Sequence, residues 1–233
     1  MVWLCGVDGF KEKWRAVLGN FTTGEVRLLD RPLNEILDLP ERPAIITVDV
    51  PIGLPEVTLP GGRTSDRLAR HLLGARSRSV FSPIGRICLP MHDRKKATRL
   101  SIQRGGIGIG VQSWGLKEKL LEIDRLMTPA KQQIVREVHP EVSFYEMKGG
   151  HPVIQSKKTL DGERRRVSAL THAGFRETFL APLSTLRSGR DDFLDACAAL
   201  WTADRICRGI AKRIPHTEEA EFDGRGLDMA IWL

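Results

Sequence analysis

Two aspartates stand at the ends of apolar runs, where a fold can bring charged groups together. Asp8 closes the run Val2 to Asp8, and Asp49 lies near the end of the nearly continuous run Ala44 to Val50. If the two runs form neighbouring strands, both side chains lie at one edge of the sheet. Two bare carboxylates repel, so the pair needs a shared proton or a hard cation such as Mg²⁺, which favours carboxylate oxygens. The alternative is that each aspartate caps the turn that follows it.

A second group of acids opens the strongest helix of the sequence, predicted over Arg190 to Ile210. Asp192 and Asp195 are three residues apart and therefore project from one face. The apolar side chains that follow would press this helix against the sheet. Complementarity to the helix dipole accounts for Asp191 alone, but not for three acids crowded into one turn above an apolar face. We therefore expect Asp192 and Asp195 to join the strand-end aspartates.

Glu137 closes a further predicted strand, Gln133 to Val138, and is another candidate for this group. His139 follows it, and two readings stay open for this side chain. It orients a carboxylate or binds phosphate, or it is a satisfied surface residue at a strand exit. Glu141 fits the first turn of a helix instead.

The elements that must position these acids follow from the hydrophobic pattern. A hairpin is predicted from Val2 to Asp8 and Trp14 to Phe21, with the link Gly9 to Lys13 supplying a turn glycine. A third strand at Glu25 to Leu29 and a helix at Pro32 to Leu39 lead into the central strand. The resulting order β-β-β-α-β, with a helical crossover, predicts an α/β fold with parallel pairing of the first and fourth strands. Further helices are predicted at Arg63 to Leu73, at Ser113 to Met127 with a Ser113 cap, and at Val167 to Gly174.

Residues 51–112 are predicted to form a basic, irregular insertion within a single domain that spans 1–233. Prolines and glycines from Pro51 to Gly62 take the chain out of the sheet, and 74–112 read as irregular. Gly61 to Arg104 carries eleven Arg and Lys residues against two acids, although the whole chain has a formal net charge of +7. A basic stretch beside carboxylates fits a polyanion such as DNA or RNA, whereas the plainer reading is a solvated face.

The sequence has 233 residues, of which 41% are hydrophobic, and this composition is typical of a soluble globular protein. No apolar stretch is long enough for a membrane helix, and the first residues read as a strand, so we expect a cytoplasmic protein without membrane contact. The cysteines lack a C-x-x-C pair and lie beside apolar residues, which favours buried free thiols over zinc or disulfides. They are Cys5, Cys88, Cys197 and Cys207.

Four sequence blocks together resemble a known family, the predicted nucleases of ribonuclease H-like fold long classed as a domain of unknown function. The blocks are Gly6-Val7-Asp8-Gly9 followed by Trp14; Val48-Asp49-Val50-Pro51-Ile52-Gly53-Leu54; Glu137-Val138-His139-Pro140-Glu141; and Asp192-x-x-Asp195-Ala196. The basic run Arg67-x-x-Arg70, Arg76, Ser79-Val80-Phe81 and Pro83 is also similar to that family's middle segment. The resemblance spans residues 2 to about 205.

The resemblance implies a five-stranded mixed sheet of order 3-2-1-4-5 with metal-binding acids at Asp8 and Asp49. Asp192-x-x-Asp195 is similar to the C-terminal helix acids of junction-resolving endonucleases of this fold, and Glu137 matches the family's fifth-strand motif. The sequence departs from ribonuclease H itself because no glutamate on the first helix matches the one in that enzyme. Glu35 is in this region, but the residues around it do not match. RNA/DNA-hybrid specificity is therefore not implied.

The implied activity is hydrolysis of phosphodiesters with Mg²⁺ or Mn²⁺, one ion activating water and a second stabilising the leaving oxygen. Asp8, Asp49 and Asp195 would be the metal ligands, with Asp192 or Glu137 as a further ligand or a base that orients water. The candidates for contacts with substrate phosphate are Arg70, Arg76, Arg78 and Lys95.

Two other functions remain open on the sequence. A nucleotide-binding sugar-kinase or actin-like phosphotransferase shares the sheet and the Asp-Gly turn, but needs two copies of the fold around a cleft, which a homodimer would supply. A non-catalytic member that binds nucleic acid would also keep the fold.

Overall fold

The computed structural model describes residues 2–233 and is built on a five-stranded mixed sheet. Its strands are β1 (Leu4–Phe10), β2 (Lys13–Asn20), β3 (Glu25–Arg31), β4 (Ile45–Val48) and β5 (Val135–Glu137). The strand order is β3-β2-β1-β4-β5, as predicted. β1 pairs antiparallel with β2 and parallel with β4, so β1 lies at the centre of the sheet. The predicted β-β-β-α-β order and parallel central pair are confirmed.

Helices flank the sheet: α1 (Leu33–Leu37), α2 (Thr64–Leu73), α3 (Arg94–Gln103), α4 (Val111–Gly115), α5 (Lys117–Leu126), α6 (Pro140–Met147), α7 (Leu160–His172), α8 (Glu177–Leu180) and α9 (Arg190–Cys207). Short 3₁₀ turns connect several of them. A small antiparallel ribbon, β6 (Arg213–Ile214) and β7 (Ile231–Trp232), was not predicted. Within residues 2–233, no helix is both long and apolar enough to cross a membrane.

Each face of the sheet carries its own hydrophobic core, because successive side chains of β1 alternate between the faces. Cys5 and Val7 belong to the core that also contains residues of α1 and α5. Leu4 belongs to the opposite core, which is dominated by α9 with contributions from α6, α7 and α8. The long helix therefore packs against the central strands, on the face that carries the site.

The turn between β1 and β2 differs from the predicted one. Gly9 was expected to supply the turn, but Gly9 is still paired with Trp14 in the strand ladder. The turn falls at Lys11 and Glu12, and Lys11 itself adopts the left-handed conformation with φ 51°. Asp8 consequently lies two residues inside the end of β1.

Residues 51–112 contain more regular structure than expected. The helix α3 occupies Arg94–Gln103, within the stretch predicted to be irregular. Its buried residues are Ala97 and Ser101, whose short side chains leave no visible apolar stripe in the sequence. The Ser113 cap is also wrong, because Ser113 lies inside α4 and a separate helix α5 follows.

The cysteines are free, as predicted, but differ in burial. Cys5, Cys88 and Cys197 are buried, whereas Cys207 is exposed. Cys207 closes α9 beyond the part of the helix that the sheet covers, so the prediction of four buried thiols is wrong at this position.

Candidate functional site

Asp8 and Asp49 occupy equivalent positions on the two central parallel strands. Their ladder runs from Leu4 opposite Ile45 to Val7 opposite Val48, and the next residue on each chain is the aspartate. The Asp49 amide donates to the Val7 carbonyl at 2.9 Å, which continues the pairing by one step. Because neighbouring strands lie about 4.8 Å apart, the two carboxylates share one small region at the C-terminal ends of β1 and β4.

The helix α9 brings a third and a fourth aspartate to this region. Gly6, two residues before Asp8 on the same face of β1, lies so close to α9 that a Cβ there would overlap the backbone of Ala196 and Leu200. On β4, the Thr47 hydroxyl donates to the Ala199 carbonyl at 2.7 Å. These two contacts fix the height of α9 over the sheet, and the first turns of the helix then carry Asp192 and Asp195 above the strand aspartates.

Electrostatic coupling shows how closely these acids are grouped. The pKa of Asp8 is raised well above its ordinary value by burial and by the charges of Asp49, Asp195 and Asp192, with Lys157 opposing. Burial raises the pKa of Asp49 to about 6, where His139 opposes and Asp195 adds to the effect. The pKa of Asp195 is raised by burial against the opposing charge of Lys157. Asp49 and Asp195 thus raise the pKa of Asp8, and carboxylates grouped in this way favour a proton or a cation between them.

The individual oxygens of the acids have distinct partners. Asp8 Oδ1 accepts a hydrogen bond from the Gly9 amide at 2.7 Å, and because Gly9 is itself a strand residue this contact does not cap the turn at Lys11 and Glu12. Asp195 is 2% exposed, and its Oδ2 accepts from Lys157 Nζ at 2.5 Å. Asp195 Oδ1 is also buried but has no hydrogen-bond partner among the residues described. A buried carboxylate oxygen without a partner is costly, so it marks a place for a ligand.

The acids line one cavity of about 370 Å³ between the sheet edge, α9 and the segment 76–81. Asp8, Asp49, Asp192, Asp195 and Glu137 all line it, so the five predicted acidic residues meet in one place. Positive charge comes from Arg76, Lys119 and Lys157, and an apolar wall from Trp14, Val50, Pro51, Phe81 and Leu116. A volume of this size is at the lower end of the range for small-molecule sites.

Glu137 stands apart from the aspartates because its carboxylate is already fully engaged. Arg63 donates to Glu137 Oε1 at 2.5 Å and to Oε2 at 2.7 Å, and the Ile52 amide donates to Oε2 at 2.6 Å. Burial raises the pKa of Glu137 to about 7, with Arg63 opposing. The same guanidinium donates to the Ile52 and Gly53 carbonyls. Glu137 and Arg63 together therefore hold the loop that follows Asp49.

His139 lies at the cavity wall, half-buried, with Nε2 3.3 Å from the Ser79 carbonyl. Its Nδ1 is buried and makes no hydrogen bond to the part of the chain that the structure describes. His139 lines the same cavity as Asp49 and lowers the pKa of that carboxyl group. Glu141 lies in the first turn of α6, as predicted, and pairs with Arg166 at 2.6 Å and with Arg76 at 2.9 Å.

The four basic residues predicted to contact phosphate are not equivalent. Arg76 lines the cavity. Arg70 instead holds the neighbouring loop, donating to the carbonyls of Gly61 and Val80 and to the Ser82 hydroxyl. Arg78 is exposed in a 3₁₀ turn, and Lys95 is exposed on α3, outside the cavity lining.

Across residues 2–233, no set of three or more His, Cys, Asp or Glu side chains already has the arrangement that holds a metal ion. Lys157 contacts Asp195 and lies within the aspartate cluster, which consists of Asp8, Asp49, Asp192 and Asp195. The sequence analysis did not identify this lysine. It precedes α7 in a polar segment with no periodic pattern, so no signal in the sequence marked it.

The chain matches the family model described as Protein of unknown function (DUF429) over residues 6–220. It belongs to this family. The matched range contains every acidic residue discussed above as well as Lys157. The searches of curated proteins and of solved structures found no match. The match shows membership in a family of unknown function, which is the coarser part of the sequence resemblance.

Proposed function

We propose that this member of the DUF429 family is a metal-dependent nuclease of ribonuclease H-like fold that hydrolyses phosphodiester bonds in DNA or RNA. The observation that carries the proposal is the convergence of Asp8, Asp49 and Asp195 on one cavity at the ends of the central strands, each with a pKa that burial raises. Perturbed carboxylates that face a cavity are typical of functional sites. The sheet order 3-2-1-4-5 with the acids on its central strands is compatible with this fold.

The donor set fits a hard divalent cation. Carboxylate oxygens are the ligands that Mg²⁺ and Mn²⁺ prefer, and Asp195 Oδ1 is a buried oxygen that lacks a partner. Asp8, Asp49 and Asp195 would hold the ion, with Asp192 at the rim of the same cavity. A bound ion would lower the pKa of a water molecule and neutralise phosphate charge.

The chain's own residues would bind and orient the substrate. Arg76 and Lys119 lie on the cavity wall, where their charges attract a phosphate group. Phe81 is 41% exposed while it lines the cavity, and an exposed aromatic ring of this kind stacks against an unpaired base. The cavity of about 370 Å³ accommodates a nucleotide unit better than a continuous duplex, so we expect single-stranded or unpaired substrates to be preferred.

The test combines metal binding with cleavage. Purified protein is titrated with Mn²⁺ by calorimetry and incubated with end-labelled single-stranded and duplex oligonucleotides. We expect Asp8→Asn to lose metal binding and cleavage, whereas Asp38→Asn, at the end of α1, keeps both. Equal metal binding by the wild-type protein and Asp8→Asn would overturn the proposal. Metal binding without cleavage of any oligonucleotide would favour the non-catalytic alternative.

A further inference from the structure

Lys157 places a positive charge within the aspartate cluster. Its Nζ lies 2.5 Å from Asp195 Oδ2, its side chain is 34% exposed, and it lines the same cavity as Asp8 and Asp49. This contact places an ammonium group directly among the carboxylates of the cavity.

The neighbouring Lys158 shows that this placement is specific to one position. Lys158 pairs with Asp191 at 2.5 Å, but its side chain is 73% exposed and does not line the cavity. Two consecutive lysines thus meet two aspartates of α9, and one of these pairs lies inside the site.

The position of Lys157 limits how many ions the acids can hold. Asp8 Oδ1 is hydrogen-bonded to the Gly9 amide and Asp195 Oδ2 to Lys157, which leaves Asp195 Oδ1 as the free buried oxygen of that residue. A second ion that used Asp195 Oδ2 would lie against the Lys157 ammonium group, whose positive charge would repel it.

We infer that Lys157 takes the place of a second metal ion, so that the site holds a single divalent cation and Lys157 supplies the other positive charge next to the bound phosphate. This inference rests on the proposed function, because it concerns the metal of that site. Lys157 acts as a positioning residue that fixes Asp195 and as an electrostatic partner for substrate, whereas the sequence resemblance implied two ions.

The experiment counts bound ions and does not depend on turnover. Mn²⁺ is titrated into wild-type protein, Lys157→Met and the matched control Lys158→Met, with calorimetry for stoichiometry and electron paramagnetic resonance for spin coupling between neighbouring ions. We expect one ion per chain for the wild-type protein and Lys158→Met. Lys157→Met is expected to take up a second, spin-coupled ion, and Lys157→Arg, which keeps the charge, is expected to bind one.

The outcomes separate this inference from the proposed function. Two ions in the wild-type protein, or a single ion in a folded Lys157→Met of unchanged affinity, would overturn the inference alone. No ion in the wild-type protein would overturn the proposed function and the inference with it. If circular dichroism shows that Lys157→Met does not fold, the wild-type and Lys157→Arg stoichiometries still decide, since two ions in either contradict the inference.

Discussion

Gly6 of β1 lies directly beneath Leu200 of α9, so closely that a Cβ on Gly6 would stand 2.7 Å from the Leu200 Cα. The close approach of helix and strand sets Asp195 over Asp8, and a side chain at this position would force the two elements apart. We predict that Gly6→Ala destabilises the protein by about 3 kcal/mol or more, since overpacking against backbone cannot be relieved by a rotamer change.

The matched control for this prediction is Gly9→Ala. A Cβ on Gly9 would find Lys119 Cε at 3.8 Å as its nearest neighbour, which is an ordinary contact. Urea unfolding of both variants provides the comparison. A Gly6→Ala variant as stable as Gly9→Ala would show that α9 can move away from the sheet without loss.

The aspartate cluster makes the metal-free protein less stable as the pH rises. Asp49 has a folded pKa of about 6 against an ordinary value of 3.8, so the folded state binds more protons than the unfolded state between these values. Stability therefore falls as the pH rises through this window and stays lower above it. We predict that Asp49→Asn, measured in EDTA, is more stable than the wild-type protein at pH 7.5 by about 1 to 2 kcal/mol, and nearly equal to it at pH 4.

The measurement is urea unfolding of both proteins across the pH range, taken as a difference so that shared titrations cancel. A variant that is less stable than the wild-type protein at pH 7.5 would mean that the Asp49 carboxylate is stabilised by its surroundings in the folded state. Added Mg²⁺ should raise the stability of the wild-type protein and leave Asp49→Asn nearly unchanged.

The buried Arg63 and Glu137 pair gives a test of what Glu137 does. Arg63→Met would leave the Glu137 and Asp66 charges buried without their partner, which costs about 3 to 5 kcal/mol. Glu25→Gln, in an exposed pair with Arg27, should cost less than about 1 kcal/mol. Thermal or urea unfolding makes the comparison.

The variant Glu137→Gln distinguishes the structural role of Glu137 from the catalytic role that the resemblance implied. We expect it to lose stability, because the carboxylate holds the Ile52 amide and both terminal nitrogens of Arg63. Full stability combined with lost cleavage would instead assign Glu137 to the chemistry.

The basic residues should separate into two classes when substituted. We predict that Arg76→Gln weakens binding of a single-stranded oligonucleotide about tenfold and reduces its salt dependence, because Arg76 lines the cavity. Lys95→Gln, on an exposed face of α3, should change affinity less than twofold. Fluorescence anisotropy at several salt concentrations measures both, and equal losses for the two variants would indicate a diffuse basic surface.

The β-β-β-α-β order and the strand aspartates were predictable from sequence patterns, whereas the full strand order 3-2-1-4-5 came from the family resemblance. Nearly continuous apolar residues in β4 indicate a strand buried on both faces, and parallel pairing with β1 then places Asp49 beside Asp8. The partners of these acids were not predictable in this way. Arg63 meets Glu137 across 74 residues of sequence, and Lys157 reaches Asp195 from an irregular segment, so both contacts arise only when α2 and α9 pack.

The hydrogen bond from Thr47 to the Ala199 carbonyl joins positions 152 residues apart. During synthesis, β1 and β4 emerge early and wait with one face uncovered until α9 has left the ribosome. Contacts of such long range form late and slowly. Asp192 and Asp195 therefore join Asp8 and Asp49 only after most of the chain has been made, and until then the sheet face that α9 covers has no partner.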